Sequence, residues 1–444
     1  MLLGLLVGAT PAAAQVGVDD PRPVEALPGV GRAIDSAAYA ARRERLAGRI
    51  GDGTIVVPAA QRQDLETRVL QDNDFRQDDY FFYLTGLESP GAWLMVVATG
   101  GTVKSTILFL PRVNPMMMRW TGVQLGPGEE AAQLTGIPQV EELSREALEQ
   151  ALAAQGGPLF TPHWAGAAGN PYLEAWEADG KVFHDAVPVL DSLRQIKDSL
   201  GLATLRRAVA ITTEGVVAGM RAAHPGMWEY QLEAMIEYTF RTLGADRVGF
   251  PSIVGSGPNS TTLHYDISRR RMEEGDLVVV DVGAEYAMYT ADVTRTFPVS
   301  GRFTTRQRAI YELVLATERA VVGAVRPGVT LRELNALARS YIAEHSGDLC
   351  GTSDCMRYFI HGVSHWLGMR VHDVGDGGRP LEAGMVLTVE PGIYIPEEQL
   401  GVRIEDDVLV TEDGHEVLSV GAPKTVEHIE RMMRSDEGRT GTRE

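Results

Sequence analysis

Residues 276–297 read DLVVVDVGAEYAMYTADVTRTF, and the fold turns on them. Stretches 276–284 and 288–297 form an expected strand pair, because apolar runs rich in β-branched residues suit a pleated sheet. Asp281 closes the run 277–280. A carboxylate there is unusual, since burying an unpaired charge is costly. Asp292 follows eleven positions later on the returning strand. That odd separation is compatible with a hairpin turning near Tyr286-Ala287, which sets the two acids directly opposite on one face, Cβ atoms ~5 Å apart. Tyr-Ala is a poor two-residue turn, so the register rests on the spacing alone. Two ionised carboxylates so placed repel by roughly 3 kcal/mol at an effective dielectric near 20. A shared proton relieves that repulsion, and a metal ion relieves it more completely.

A second strand pair, 385–389 with 402–410, repeats the pattern. Glu390 ends an apolar run and meets the strand-stopping Pro391-Gly392; Glu405 sits among the β-branched residues of 402–408. His365 of HGVSHWLG (361–368) adds an imidazole. Four carboxylates and one imidazole suit Mn²⁺, Co²⁺, Fe²⁺ or Zn²⁺ and disfavour a thiolate site. One ion does not need four carboxylates; two ions sharing a hydroxide account for the number. His361 and His365 stand four apart, but Gly362 and the lack of a Glu after His361 argue against a zincin helix.

Helical patterns run over 200–223 and 229–243 before these pairs and over 305–325 and 331–345 between them, so the C-terminal part reads as α+β. The N-terminal part alternates strands and helices, as α/β layers do. Strands are expected at 54–57, 80–84, 92–98, 106–110 and 187–189, and helices at 37–50, 129–134 and 140–153. The expected divisions are a signal peptide over 1–14, a linker over 15–35, an α/β domain over 36–193, an α+β domain over 194–433 and a disordered tail over 434–444.

Composition removes several classes. With 41 basic against 60 acidic residues the chain carries −19 charges, which excludes general affinity for nucleic acid or anionic lipid. Two cysteines cannot build a disulfide scaffold or a four-thiolate zinc site. Cys350 and Cys355 either bridge one local loop or remain two unpaired thiols. The apolar run 1–9 is far short of the ~20 residues that span a bilayer. Followed by Pro11 and Ala12-Ala13-Ala14, it reads as a secretory signal despite lacking a basic start, so the expected location is periplasmic or secreted. The alternative is a cytoplasmic protein with an apolar N-terminus.

The motifs D-V-G-x-x-Y, A-D-V-T-R-T-F, H-G-V-S-H-W-L-G, V-H-D, T-V-E-P-G-I-Y and R-I-E-D-D closely resemble the Xaa-Pro aminopeptidases (aminopeptidase P), relatives of prolidase and methionine aminopeptidase. Residues 74–86, DFRQDDYFFYLTG, look like that family's creatinase-like N-terminal domain. The resemblance implies a pita-bread catalytic domain preceded by an α/β creatinase-like domain. It implies two divalent metal ions, Mn²⁺ first and Zn²⁺ or Co²⁺ next. Asp281, Asp292, His365, Glu390 and Glu405 would hold them, with Asp292 and Glu405 bridging and Glu390 also the general base. His264 would lie on the substrate side, His361 and His372 against the scissile peptide, and Arg403 beside the last ligand. The implied partners are peptides with proline second and further copies of the chain, as a dimer or tetramer. The alternatives are an Xaa-Pro dipeptidase and, further off, a non-catalytic binding protein.

Other residues have blander expectations. The run 116–118 of methionines reads as core or interface filler. Trp93 and Trp120 read as core, with an intersubunit cleft as the alternative. Arg370 reads as a substrate contact or a solvated side chain, and 255–257 (GSG) as a turn near the site.

Overall fold

The computed structural model describes residues 34–62, 75–162, 170–351 and 354–434. The expected signal peptide, nearly all of the linker, Asp74 and the tail from 435 lie outside the described residues. Among those described, no helix is long and apolar enough to cross a membrane.

The N-terminal domain is a six-stranded mixed sheet in the order Gln139–Glu142, Thr102–Leu110, Trp93–Thr99, Gly53–Pro58, Leu159–Thr161, Phe183–Asp185. Strand alternation splits its side chains. Trp93, Met95 and Val97 pack with Leu148 and Trp176 under the helices Arg145–Ala153 and Pro171–Ala178. Leu94 and Val96 face the main core, with Leu46 of Ser36–Ile50 and Phe81 of Asp79–Thr85.

Three local expectations fail here. Residues 80–84 are helix, not strand: Asp78 caps Asp79–Thr85 by accepting from the Phe81 N–H, and Gly86 ends it at φ 72°. All seven helical residues are buried, and a fully buried helix reads as a continuous apolar run. Residues 187–189 open the helix Val187–Gln195, with Pro188 at its start, where a missing N–H costs nothing. The point between 193 and 194 therefore falls inside a helix. The stretch 140–153 divides into a strand and the helix Arg145–Ala153, which is capped by Ser144.

In the C-terminal domain the strand Leu277–Val282 lies between Ile253–Ser256 and Val293–Pro298. The helices Ser199–Ala222, Glu229–Thr242, Thr305–Val322 and Leu331–His345 appear where expected. The hairpin register differs from expectation. Asp281 pairs with Thr294, and the turn is Ala287-Met288, not Tyr286-Ala287. Both turn residues are left-handed, at φ 47° and 68°, as a tight two-residue hairpin requires. Asp246 Oδ2 accepts from the Ala287 N–H at 2.6 Å and helps hold this costly geometry.

Gly283 belongs to the same hairpin, and a Cβ there would sit 1.9 Å from Ala291 O. Gly283→Ala is therefore expected to destabilise the protein by about 3 kcal/mol or more, read by urea unfolding, because backbone and not a movable side chain is in the way.

The expected strand 402–410 is two strands. Leu400–Arg403 pairs with Gly392–Ile395, whereas Asp406–Val410 pairs with Val386–Val389 in a different sheet. Between them the Ile404 N–H donates to Pro391 O and the Glu405 N–H to Thr294 O, so the chain crosses from one sheet to the other at Glu405. Cys350 and Cys355 form a disulfide, closing the loop after Leu331–His345.

Candidate metal centre

Asp281, Asp292, His361, His365, His372, His264, Glu390, Arg403 and Glu405 all line one cavity of about 630 Å³. Asp281 and Asp292 are not directly opposed, but a shift of two residues along a strand preserves the face. Both therefore reach the cavity, the outcome expected from a register that was wrong. His365 is fixed by backbone bonding to the strand that ends in Glu390. The Thr388 N–H donates to His365 O at 2.9 Å, the Glu390 N–H to Val363 O at 2.8 Å and the Leu367 N–H to Val386 O at 3.1 Å.

His365 Nε2 lies 3.4 Å from Asp292 Oδ2, 3.6 Å from Glu390 Oε1 and 3.8 Å from Glu405 Oε1. One donor atom each from Asp292, His365 and Glu405 falls within 4.8 Å of the others. His365 Nδ1 is 3.1 Å from Trp366 O, which assigns the proton to Nδ1 and turns the Nε2 lone pair toward the carboxylates, as in metal-binding imidazoles.

Arg403 ties the acids together. It donates to Asp281 Oδ2 at 2.6 Å, to Tyr394 OH at 2.9 Å and to Thr294 Oγ1 at 3.2 Å. Thr294 Oγ1 in turn donates to Glu405 Oε2 at 2.6 Å. Each carboxylate thus keeps a second oxygen, and Asp281 Oδ1, Asp292 Oδ1 and Glu405 Oε1 are buried with no hydrogen-bond partner. Such atoms are few in native interiors, and three carboxylate oxygens on the lining of one cavity call for a cause.

The protonation equilibria record the same crowding. Burial, then the charge of Asp281, pushes Asp292 well above the usual carboxylate range; burial, then Asp292, does the same to Glu405. Burial lifts Glu390 to about 7, against the pull of His365 and Arg403. Burial lowers His361 to about 4, so it is neutral at pH 7. Its Nε2 is 2.9 Å from Tyr394 OH. Asp292, His365 and Glu405 bring one donor atom each together, and unpartnered carboxylate oxygens of Asp281, Asp292 and Glu405 are buried at the same cavity; the set fits divalent cations, which supply the missing positive charge.

His372 packs edge-on against His365, with ring centroids 4.4 Å apart, and His264 stands exposed on the rim. Phe250, Pro251, Ile253, Leu263 and Val371 make the apolar wall. Residues 255–257 are not a simple turn; they end the strand Ile253–Ser256 and begin a short 3₁₀ turn. Arg370 contacts no cavity group; its Nε is 2.5 Å from Asp79 Oδ2. Trp93 is core, whereas Met116, Met117 and Trp120 are exposed and not core filler. Sequence reasoning missed Tyr394 and Thr294 as organisers of Arg403 and Glu405. Both lie inside quoted motifs, yet nothing in the sequence says which hydroxyl meets which acid.

Comparison with known proteins agrees with this geometry. Residues 203–412 match the sequence profile described as metallopeptidase family M24, and residues 39–157 match that of the aminopeptidase P N-terminal domain. The chain is 36% identical to the Xaa-Pro aminopeptidase of Haemophilus influenzae over 390 residues, covering 81% of this chain and 88% of that protein. It is 32% identical to human Xaa-Pro dipeptidase, covering 90% and 94%. The solved structure of aminopeptidase P from E. coli with the inhibitor Pro-Leu matches at a TM-score of 0.83 and 32% identity, covering 91% of this chain and 100% of that one.

Proposed function

The chain belongs to metallopeptidase family M24, and from that premise we propose that it removes the N-terminal residue preceding a proline, working with two divalent cations, Mn²⁺ first. The supporting observation is the convergence of donor atoms from Asp292, His365 and Glu405 in a cavity where Asp281, Asp292 and Glu405 each have a buried, unpartnered oxygen. Together with Glu390 these five residues would hold the ions. Bound there, the cations supply Lewis acidity, which acidifies water and polarises a peptide carbonyl.

The protein's own groups do the rest. Glu390, poised near neutrality, takes the proton of the attacking water and returns it to the departing prolyl nitrogen, as the O–C bond forms and the C–N bond breaks. Neutral His361, oriented by Tyr394, and His372 face the scissile peptide and stabilise charge on its oxygen. The apolar wall at Phe250, Leu263 and Val371 excludes water and suits a pyrrolidine ring.

An aminopeptidase is favoured over a dipeptidase by the positive groups. Among the described residues lining the cavity there is no Lys, and the one Arg, Arg403, is committed to Asp281, Tyr394 and Thr294. A dipeptide's terminal carboxylate finds no free guanidinium or ammonium. Assay of matched Xaa-Pro and Xaa-Pro-Yaa peptides, with chelator and with Mn²⁺ added back, tests this. Longer peptides are expected to be cleaved at least as well as dipeptides, with loss on chelation and recovery with Mn²⁺. Activity confined to dipeptides overturns the choice.

Two further parts of the proposal concern surroundings. Met116 and Trp120, 66% and 79% exposed near the short helix Met118–Thr121, support association with further copies of the chain. The Cys350–Cys355 disulfide supports an oxidising, exported location.

A further inference from the structure

Residues 369–373 carry Val371 and His372 into the cavity, and the side chains that fasten this loop come from the other domain and from the segment joining the two. The Asp373 side chain is buried, 2.7 Å from Arg194 Nη2 and 3.5 Å from Lys197 Nζ. Arg370 Nε donates to Asp79 Oδ2 at 2.5 Å, and Arg194 lies 3.4 Å from the same oxygen. Arg76 NH1 is 2.7 Å from Asp79 Oδ1, while its NH2 donates to Met369 O at 2.6 Å. Arg76 Nε continues to Glu285 Oε2 at 2.7 Å, on the hairpin that carries Asp281 and Asp292. One guanidinium of the N-terminal domain therefore touches the loop of His372 and the hairpin of two acids at once.

Stability is a weak reason for such a network, since buried ion pairs are often matched by well-packed apolar side chains. Geometry is a better one. Arg presents a rigid fork that fixes direction as well as distance, which a Lys cannot reproduce. The loop has little slack: a Cβ on Gly368 would sit 2.0 Å from Asp373 Oδ2, and the Asp373 N–H closes back on Trp366 O at 3.0 Å. Trp366 O also receives His365 Nδ1–H, so a shift of this loop is felt by both imidazoles.

We propose that Arg76 and Asp79 of the N-terminal domain, with Arg370, are positioning residues for His372, so that the N-terminal domain forms part of the catalytic apparatus of its own chain. This rests on the reading of His372 as a group facing the scissile peptide.

The test is a set of double-mutant cycles in the full-length, metal-loaded protein. Arg370→Gln is the gentler variant because its side chain is 62% exposed; Arg76→Lys keeps the charge and removes the fork. Each is expected to lower kcat by roughly tenfold or more while KM changes little, the scale of effect a displaced catalytic group produces. Bound metal and melting temperature should stay near wild type. In a His372→Ala background the same substitutions should lose most of their effect on kcat, the remainder being what the loop transmits to His365. Undiminished kcat in Arg370→Gln and Arg76→Lys overturns the proposal. Losses that multiply with that of His372→Ala also overturn it, and leave the role of His372 standing. Full activity of His372→Ala overturns both.

Discussion

Asp292→Asn is expected to lower turnover by about 10³-fold and, in the same protein stripped of metal, to raise the melting temperature. The activity loss follows from exchanging an anionic donor for a neutral amide at the point where Asp292 Oδ2, His365 Nε2 and Glu405 Oε1 converge. A factor of 10³ corresponds to about 4 kcal/mol of transition-state stabilisation, the scale of losing one well-placed electrostatic group. The stability gain follows because burial, then the charges of Asp281, Asp407 and Glu390, raise the proton affinity of Asp292, which disfavours its ionised form in the metal-free fold. The amide has no ionised form to bury, so the metal-free variant escapes that cost, most visibly as pH rises. Turnover, metal content by mass spectrometry and melting with and without chelator check it. Wild-type turnover in this variant would end the metal-centre reading.

Metal removal is expected to reverse the pH dependence of stability. Glu390 titrates near 7 when folded, against an ordinary value of 4.5, because it is buried. Between those values the folded chain holds a proton that the unfolded chain has released, so stability falls as pH rises through the window. Asp292, raised by burial and then by Asp281, and Glu405, raised by burial and then by Asp292, act in the same direction. His361 acts oppositely: burial depresses it from 6.5 to about 4, and stability rises with pH across that interval. His372, also lowered by burial, joins His361, whereas Asp407 and Glu318, raised first by burial, join the carboxylates, which outnumber the imidazoles. The metal-free protein should lose stability from pH 5 to pH 7.5, by an amount on the order of a few kcal/mol. With Mn²⁺ present the slope should turn positive, because the ligands bind only when deprotonated. Thermal melts across that range decide the sign in each case.

The acids were legible because each interrupts or ends an apolar run, a place where a charge needs a reason. The architecture of the C-terminal half was legible for the same cause, since its strands and helices carry long, regular patterns. Turn chemistry was harder to read. Ala287-Met288 has none of the Gly or Asn that marks a left-handed turn, so the hairpin was placed two residues off, and only the two-residue period of a strand kept Asp281 and Asp292 together. The buried aromatic helix Asp79–Thr85 was misread because, with every face covered, it has no polar stripe. Arg76 and Asp79 lie in the stretch 74–86 and Asp373 in V-H-D, but nothing in those motifs says which charge meets which, and Arg194 gave no signal at all. Apart from Arg76 with Asp79, their contacts join positions more than a hundred residues apart, such as Arg194 with Asp373, and a charge in sequence does not announce its partner.

The step that the chain takes at Glu405, out of one sheet and into another, means that this centre has no portable form. A loop carrying a few ligands can be grafted to a foreign scaffold; here the proposed ligand Glu405 is itself the stitch between two layers, and the layers would have to travel with it.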